Sequence, residues 1–491
     1  MDATAVRHLF FVGTVIAAIG GDLLYVELLK PLHTTALGAA RRGMKGFALA
    51  VLALLIVFSC YTMSLSPNWN GENPEHRDQY ERLADAFLDG RLDLDYGDIG
   101  EQLLELQNPY DPTERDASGI DYPWDHAFYK GHFYMYFGVV PVLLLFVPFK
   151  VLTGLTLTTY HATQLFIAAF FCAMFLLSQL LARRYYPQMS FGSWLLLTVT
   201  VSLSGVWNCL CCPALYNTAV SSALCMMAWS LYFYVKAVLD TEEPFKALRL
   251  AFVGAVFGAL AFGCRPPIAL GNLAAIPLLV TFLKKHRLNW RLWLRLVRTL
   301  LPYAVVGVGL MWYNYARFEN PFEFGQAYQL TLADQSRYGS RSLFDLHWTT
   351  MLNGLIFNFF RSPELRGDYP FFSECGVFLM FPVFGYVFLA AGDAATRRRL
   401  RERKLAGLAA VLALCPVVIT LLELVWAPFL ANSYRQDFIW LLSLLCLLLT
   451  GLRAEGQENG PGTSRWICRW CVWSLAVGFM VYSDFVIQAL F

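Results

Sequence analysis

Charge is what this sequence has least of. Only 15% of its 491 residues are Asp, Glu, Lys or Arg, against roughly 25% in a soluble domain. That shortage leaves most of the chain without a solvated surface and excludes a soluble globular fold. A cysteine framework is missing too. Most of the 12 cysteines lie inside apolar runs, among them Cys60, Cys172, Cys225, Cys415 and Cys446, where they serve as small hydrophobes. Cys209, Cys211 and Cys212 cluster near a helix end. Cys468 and Cys471 form a CxxC without a second pair or a His partner, so a zinc or redox site is not expected. No small-residue cleavage site follows the apolar residues 9–21, because Asp22 and Glu27 stand there instead; the expectation is that no signal peptide is removed. Neither an internal repeat nor a low-complexity tract is evident. The polar stretch 454–464 reads as a cytoplasmic linker.

What is present is apolar sequence. The chain is 57% hydrophobic with a mean hydropathy of +0.47. Stretches of 17–22 apolar residues recur, and a helix needs about 20 to cross a bilayer core. The runs are continuous rather than alternating, which excludes a transmembrane β-barrel. The expected fold is all-α, a polytopic transmembrane helix bundle of about 11–12 spans. Candidate spans cover 46–64, 161–182, 190–207, 217–236, 249–264, 267–283, 299–316, 372–391, 405–424, 435–452 and 467–487. Residues 9–29 are either a further span or an in-plane helix.

Basic residues mark the cytoplasmic side. Arg41, Arg42 and Lys45 precede the first of these spans, Arg183 and Arg184 follow the second, and two further basic runs occupy 284–298 and 397–404. These marks agree only if residues 138–153, a 16-residue stretch with Pro141 and Pro148, do not cross. That piece is read as a helix in the outer interface. The organisation is then an N-terminal segment 1–45, a transmembrane core 46–316 with an outer loop 66–136, a second outer loop 317–371, and C-terminal transmembrane helices 372–491. Such a chain belongs in a plasma or inner membrane, surrounded by lipid, and no nucleic-acid partner is expected.

The loop 66–136 holds 16 of the chain's 36 acidic residues and five Lys or Arg, a formal charge of −11. Tyr80, Leu83, Ala84, Phe87 and Leu88 form one stripe of an amphipathic helix, and Gly90 supplies its stop. That helix is expected to lie on the membrane with its apolar side down. The aromatic run 124–138, WDHAFYKGHFYMYFG, suits either the interface or stacking on sugar rings.

These features together resemble the GT-C membrane glycosyltransferases, the superfamily of protein O-mannosyltransferases and aminoarabinose transferases, and in particular an uncharacterised bacterial branch of it. The matching residues are Asp78-Gln79-Tyr80, Leu83-Ala84, Gly90-Arg91-Leu92, Tyr134-Met135-Tyr136-Phe137-Gly138 with Pro141, and the turn FGCRPPIAL at 262–270. The chain departs from the family at the acidic pair that often stands four residues before the Tyr: Asp78 stands two before it, and His76 holds the earlier position. The resemblance implies transfer of a sugar from a polyprenyl-phosphate donor to a glycan, lipid or protein acceptor on the outer face, without a certain cofactor.

Such chemistry needs a carboxylate to take the acceptor proton and cations to hold the leaving phosphate. Asp78 is the first choice for base; it is equally placed to cap the helix, in a box with Glu81. Asp125 is the second choice, with a solvated loop residue as its plain alternative. Arg265, between two apolar spans, fits the donor phosphate; otherwise it snorkels. Tyr80, Trp124, Tyr134 and Tyr136 are the candidate substrate-binding aromatics. Arg435 is a weaker cation, paired with Asp437. Arg361 and Arg366 are either acceptor contacts or merely exposed. His126 and His132 read as interfacial residues, and no metal ligand set is expected. In the second outer loop Pro321 and Gly325 read as turns, with neighbouring aromatics resting on the bilayer. Two other functions fit the same composition: a transporter or flippase for a lipid-linked sugar, and a non-enzymatic envelope assembly protein whose acidic loop docks a partner.

Overall fold

The computed structural model describes residues 3–66, 69, 71, 78–286, 289–337, 345–372, 375–426, 432–455 and 461–490. His76 and residues 456–460 of the linker 454–464 lie outside them. The architecture is an all-α polytopic bundle, with ten helices long and apolar enough to cross a membrane among the described residues. Nine of these match candidate spans from the sequence. The tenth, Thr4–Leu23, lies in the stretch left open.

That first helix runs antiparallel to the last, Arg465–Gln488. Phe10 meets Phe479 with ring centroids 5.9 Å apart. At the other end Arg469 Nε donates to Asp22 at 2.9 Å, and Arg465 lies 3.7 Å from Glu27. Asp22 and Glu27 are therefore paired with the last helix, and Thr4–Leu23 is long and apolar enough to cross a membrane.

Two expected spans are not continuous helices. Residues 190–207 yield Phe191–Ser204, 14 residues long, or about 21 Å; after a break at Gly205 and Val206 a short helix Trp207–Cys211 extends it. Residues 372–391 break into Val377–Met380, Pro382–Gly385 and Tyr386–Gly392. Pro382 is the cause, since it pushes the preceding residue out of helical geometry, and Phe381 has φ −124° and ψ 81°. The Val383 N–H freed by the break donates to Ser474 Oγ at 2.7 Å. Such breaks are tolerated at membrane depth where protein satisfies the backbone.

Residues 142–153 form a helix of 12 residues, about 18 Å and too short to cross. Against it packs Gln79–Leu88, the helix predicted from the apolar stripe. Tyr80, Leu83 and Ala84 are buried. The apolar side thus rests on protein rather than on lipid. Gly90 ends the helix region with φ +75°. The aromatic run of the loop contains the one element an all-helical reading omits, an antiparallel hairpin of Ala127–Tyr129 and His132–Tyr134. Its two-residue turn, Lys130 and Gly131, has φ +50° and +85°, the sign that a tight hairpin turn requires at both positions.

The ends of the spans sort as the basic residues require. At one end, Thr159 bonds to the first loop, Arg265 pairs with Asp437, and Tyr482 Oη donates to Thr62 O at 2.6 Å. At the other, Arg184, Lys285, Arg403 and Lys404 share one cavity. Asp89→Cys is therefore expected to react with an impermeant thiol reagent from outside intact cells, and Glu402→Cys only after permeabilisation. The reverse pattern at these two positions, above the background of the native cysteines, overturns the assignment of sides.

Candidate functional site

Arg265 is placed by the turn that follows the Pro244–Phe262 helix. Its extended backbone, φ −154° and ψ 105°, is what a residue before proline adopts, and Pro266-Pro267 then open the next helix, where a missing N–H costs nothing. The guanidinium Nε donates to both oxygens of Asp437, at 2.6 and 2.8 Å. Asp437 is wholly buried, while the Arg265 side chain keeps 16% of its surface exposed. Burial works against the arginine charge, and the Asp437 contact outweighs it, so the Arg265 pKa stands above its usual value. Because Asp437 engages Nε, the two terminal amino groups are left for another anion. The ring of Tyr434 lies 5.6 Å from the guanidinium carbon, a cation–π distance.

Beside Asp437 sits a second acid, Glu423, which carries no motif in the sequence. Glu423 is 1% exposed, and no donor reaches either of its carboxyl oxygens. The expected pairing of Arg435 with Asp437 does not occur. Arg435 is buried and donates to Cys375 O at 2.9 Å, with Phe357 O and Asn358 Oδ1 further off. It is a structural clamp on the second outer loop.

Asp125 approaches the same region from the hairpin. It has φ +59°, an uncommon conformation for a non-glycine residue and one that concentrates at functional sites. Its N–H donates to Leu330 O at 3.0 Å. Its carboxylate accepts from Tyr216 Oη, from Tyr136 Oη at 3.2 Å and from Gln329 Nε2 at 3.2 Å. Burial pushes its pKa up, and the Tyr216 and Tyr136 hydroxyls pull it back in part. Asp125 is thus not a solvated loop residue: it is 5% exposed, while Tyr216 remains 43% exposed. The charges of both Arg265 and Asp125 act on Tyr434, so the two groups lie in one neighbourhood.

Asp78 occupies the N-cap position, but its side chain makes no capping hydrogen bond. The carboxylate instead accepts from Thr159 Oγ1 at 2.6 Å, and Glu81 accepts from Thr159 N at 2.6 Å. The two acids thereby grip the N-terminus of the Thr159–Tyr185 helix, where backbone N–H groups favour negative charge. Glu81 is pushed up to about 8, first by burial and then by the Asp78 charge. Gln79 connects this pair to the other candidate base, donating from Nε2 to Asp125 O at 2.8 Å. His126 is held between Trp124 O at 2.7 Å on Nδ1 and Tyr96 Oη at 2.8 Å on Nε2. Those partners fix the tautomer protonated on Nδ1, and burial lowers its pKa to about 4, so it stays neutral.

The four aromatic candidates separate. Tyr80 is fully buried, stacked 5.5 Å from Phe146 and 6.1 Å from Phe137. It is a core shim and offers no face to a sugar. Tyr134 stands edge-on to Phe318 at 5.4 Å, away from Asp125. Tyr136 bonds Asp125, and Trp124 is 46% exposed beside it. Tyr216, Gln329 and Tyr434 complete the cluster without having been singled out from the sequence. Of the other candidates, Arg361 pairs with Glu364 at 2.6 Å and Arg366 with Asp484 at 2.8 Å. Gly325 makes a turn with φ +88°, as expected, but Tyr328 packs 4.8 Å from Tyr129 rather than on lipid. His132 is exposed and faces Asp93 at 3.3 Å.

Gly138 is what lets the first loop reach Arg265. A Cβ there would stand 2.2 Å from Cys264 O and 2.3 Å from Gly263 O, and Val140 N donates to Gly263 O at 2.9 Å. Two sequence motifs, Tyr134–Gly138 and Phe262–Arg265, are thus in backbone contact.

No protein-family model, no curated protein and no solved structure matches the chain. The functional reading rests on these contacts.

The raised carboxyl of Glu81 has a measurable consequence. Its folded pKa of about 8 exceeds the ordinary value of 4.5, so the native state holds the proton more tightly. That contribution is complete below about pH 4.5 and is lost as pH rises through about 8, by an amount on the order of a few kcal/mol. Glu81→Gln keeps an acceptor for Thr159 N and removes the titration. The wild-type melting temperature is expected to fall relative to that of Glu81→Gln between pH 5 and 9; parallel curves overturn the assignment.

Proposed function

We propose that this chain is a membrane glycosyltransferase that moves a sugar from a polyprenyl-phosphate donor to an acceptor on the outer face of the plasma or inner membrane. The observation that carries the reading is Arg265: a guanidinium at the end of two spans, anchored by buried Asp437 through Nε, with both amino groups left for another anion. An arginine fork matches phosphate oxygens, and the lipid tail of such a donor needs a site at the membrane edge.

The acceptor hydroxyl attacks the anomeric carbon, and the bond from that carbon to the phosphate oxygen breaks. The bonding pair leaves on the phosphate, where Arg265 offsets the growing charge. The acceptor proton passes to a carboxylate. Asp125 is favoured over Asp78 for that role, because burial raises its basicity and both it and Arg265 lie near enough to Tyr434 for their charges to act on that ring's hydroxyl. Partly exposed Tyr216 connects Asp125 to the acceptor side. Asp78, committed to Thr159, then serves to fix the loop. Trp124 is the exposed ring available to a sugar face.

A second reading has one observation in its favour. Glu423, a donor-free carboxyl within the Ala406–Val425 span, is the kind of group that couples ion movement in a transporter of lipid-linked sugars.

Arg265→Ala is expected to lose most transfer activity, and Arg265→Lys to regain part of it, because a point charge replaces a planar fork. Loss of sugar from a polyprenyl-phosphate donor is the readout, with expression level as control. Undiminished turnover by Arg265→Ala sinks the phosphate assignment, and donor that crosses the bilayer unconsumed selects the transporter.

The base is tested separately. A general base is worth about 10²–10⁴-fold in rate, so Asp125→Asn is expected to fall at least about a hundredfold while Asp78→Asn stays within a few-fold. The opposite order moves the base to Asp78. If neither variant changes a measurable rate, both carboxylates are structural.

A further inference from the structure

The cytoplasmic end of the bundle carries a feature that sugar transfer on the outer face does not use. A cavity of about 420 Å³ opens there, and its wall holds Arg184, Lys285, Arg403 and Lys404 over an apolar floor that includes Leu239. Its volume lies in the range of about 300–1,000 Å³ common for small-molecule sites. The four cations come from three separated parts of the chain: the inner ends of the Thr159–Tyr185 and Pro266–Lys285 helices, and the turn after Ala394–Glu402.

One acid in the wall answers them. Glu242 is paired with Lys285 at 2.8 Å. Arg184 and Arg403 both act on the Tyr185 hydroxyl, so their charges converge on one side chain. Arg403 also feels Glu455, yet its Nη1 is buried without a hydrogen-bond partner among the described residues. A buried guanidinium nitrogen left unpaired is costly. Lys404 is held in the left-handed region, φ +58°, at the turn that directs this corner. The general excess of Lys and Arg on cytoplasmic loops explains their number but not their convergence. Like charges brought to one cavity repel unless an anion occupies it.

We propose that this cavity binds a phosphate-bearing anion on the cytoplasmic side. Basic pockets between helices at this depth suit the headgroup of an anionic phospholipid; a soluble phosphate compound presents the same chemistry. Arg184 and Lys404 are exposed and sit at the rim, where they admit the anion. Arg403 Nη1 supplies the buried donor.

The test uses the purified full-length chain in neutral detergent, with two probes: short-chain phosphatidylglycerol and pyrophosphate. Binding is measured by titration, together with the thermal midpoint. The double variant Arg184→Gln/Lys404→Gln changes only exposed side chains at the rim. The control, Arg291→Gln/Arg298→Gln, removes equal charge from the same side of the membrane outside the cavity. At least one probe is expected to raise the midpoint of the wild type and of the control, and to bind the rim variant at least tenfold more weakly. Phosphatidylglycerol alone identifies a lipid site, pyrophosphate alone a soluble ligand, and both together a phosphate site without selection between them. The proposal is overturned if neither probe binds the wild type, or if the control loses as much affinity as the rim variant.

Discussion

A guanidinium at the edge of a membrane has to be paired, and in this chain one pairing joins distant parts of the sequence. Arg265 lies between spans of the first transmembrane segment, and Asp437 begins a span 172 residues later. Removing one partner of a buried pair typically costs about 3–5 kcal/mol, because the other charge is stranded. An exposed pair such as Lys130 with Glu319, 2.7 Å apart, is worth about 0–1 kcal/mol at most. The buried contact therefore fixes how the 434–454 helix meets the turn at 263–265, and the exposed one only decorates the hairpin. The same pairing engages Arg265 through Nε alone, so the side chain that meets the structural need keeps two amino groups for the phosphate it is proposed to bind.

Around that pair the packing is set by aromatic rings and one glycine. Tyr80 lies near enough to Arg265, Asp78 and Glu81 for the charges of all three to act on it, and it is fully buried among them. Phe137 and Phe146 hold its faces. Gly138 then removes the last obstacle to backbone contact. A side chain at 138 would push the loop off the arginine turn, and Asp125, eleven residues from Tyr136 along the same strand pair, would move with it. The positive φ at Asp125 is held by contacts on both sides, through Leu330 and Gln79.

Much of this was legible in the sequence because bilayers impose long apolar runs and sorted charges. Nine of the long spans follow from the first rule, and the helix 79–88 follows from its apolar stripe. What failed had local causes. Arg435 and Asp437 are two residues apart, and on a helix such neighbours are turned roughly 200° from one another, so their pairing was excluded by geometry that the sequence already contained. Lys130-Gly131 between two aromatic pairs was a hairpin signal hidden by the surrounding helical pattern. The capping box at 78–81 was recognised, but the Asp arm turned to Thr159 because a second helix start lay within reach, a tertiary fact without local trace. Tyr216, Gln329 and Tyr434 come from three segments and carry no motif; only the fold brings them to Asp125.

The charge of the first loop illustrates why counting residues does not find a site. Sixteen acids give it −11, yet many stand in water, Asp89 at 63% and Asp95 at 72% side-chain exposure. Charges of that kind are screened over about 8 Å at physiological salt. Asp125 and Glu81, at 5% and 1%, are screened far less and have carboxyls whose pKa the protein raises. Composition would weigh all sixteen alike, as a docking surface does. Among the described residues burial singles out two, and both are tied to the segments that meet Arg265. An acidic field above the membrane also disfavours a free phosphate at the outer face, so a phosphate that stays there needs a cation within contact distance. In the proposed reading Arg265 is that cation: Asp437 engages it through Nε alone, and its two amino groups remain for phosphate oxygens.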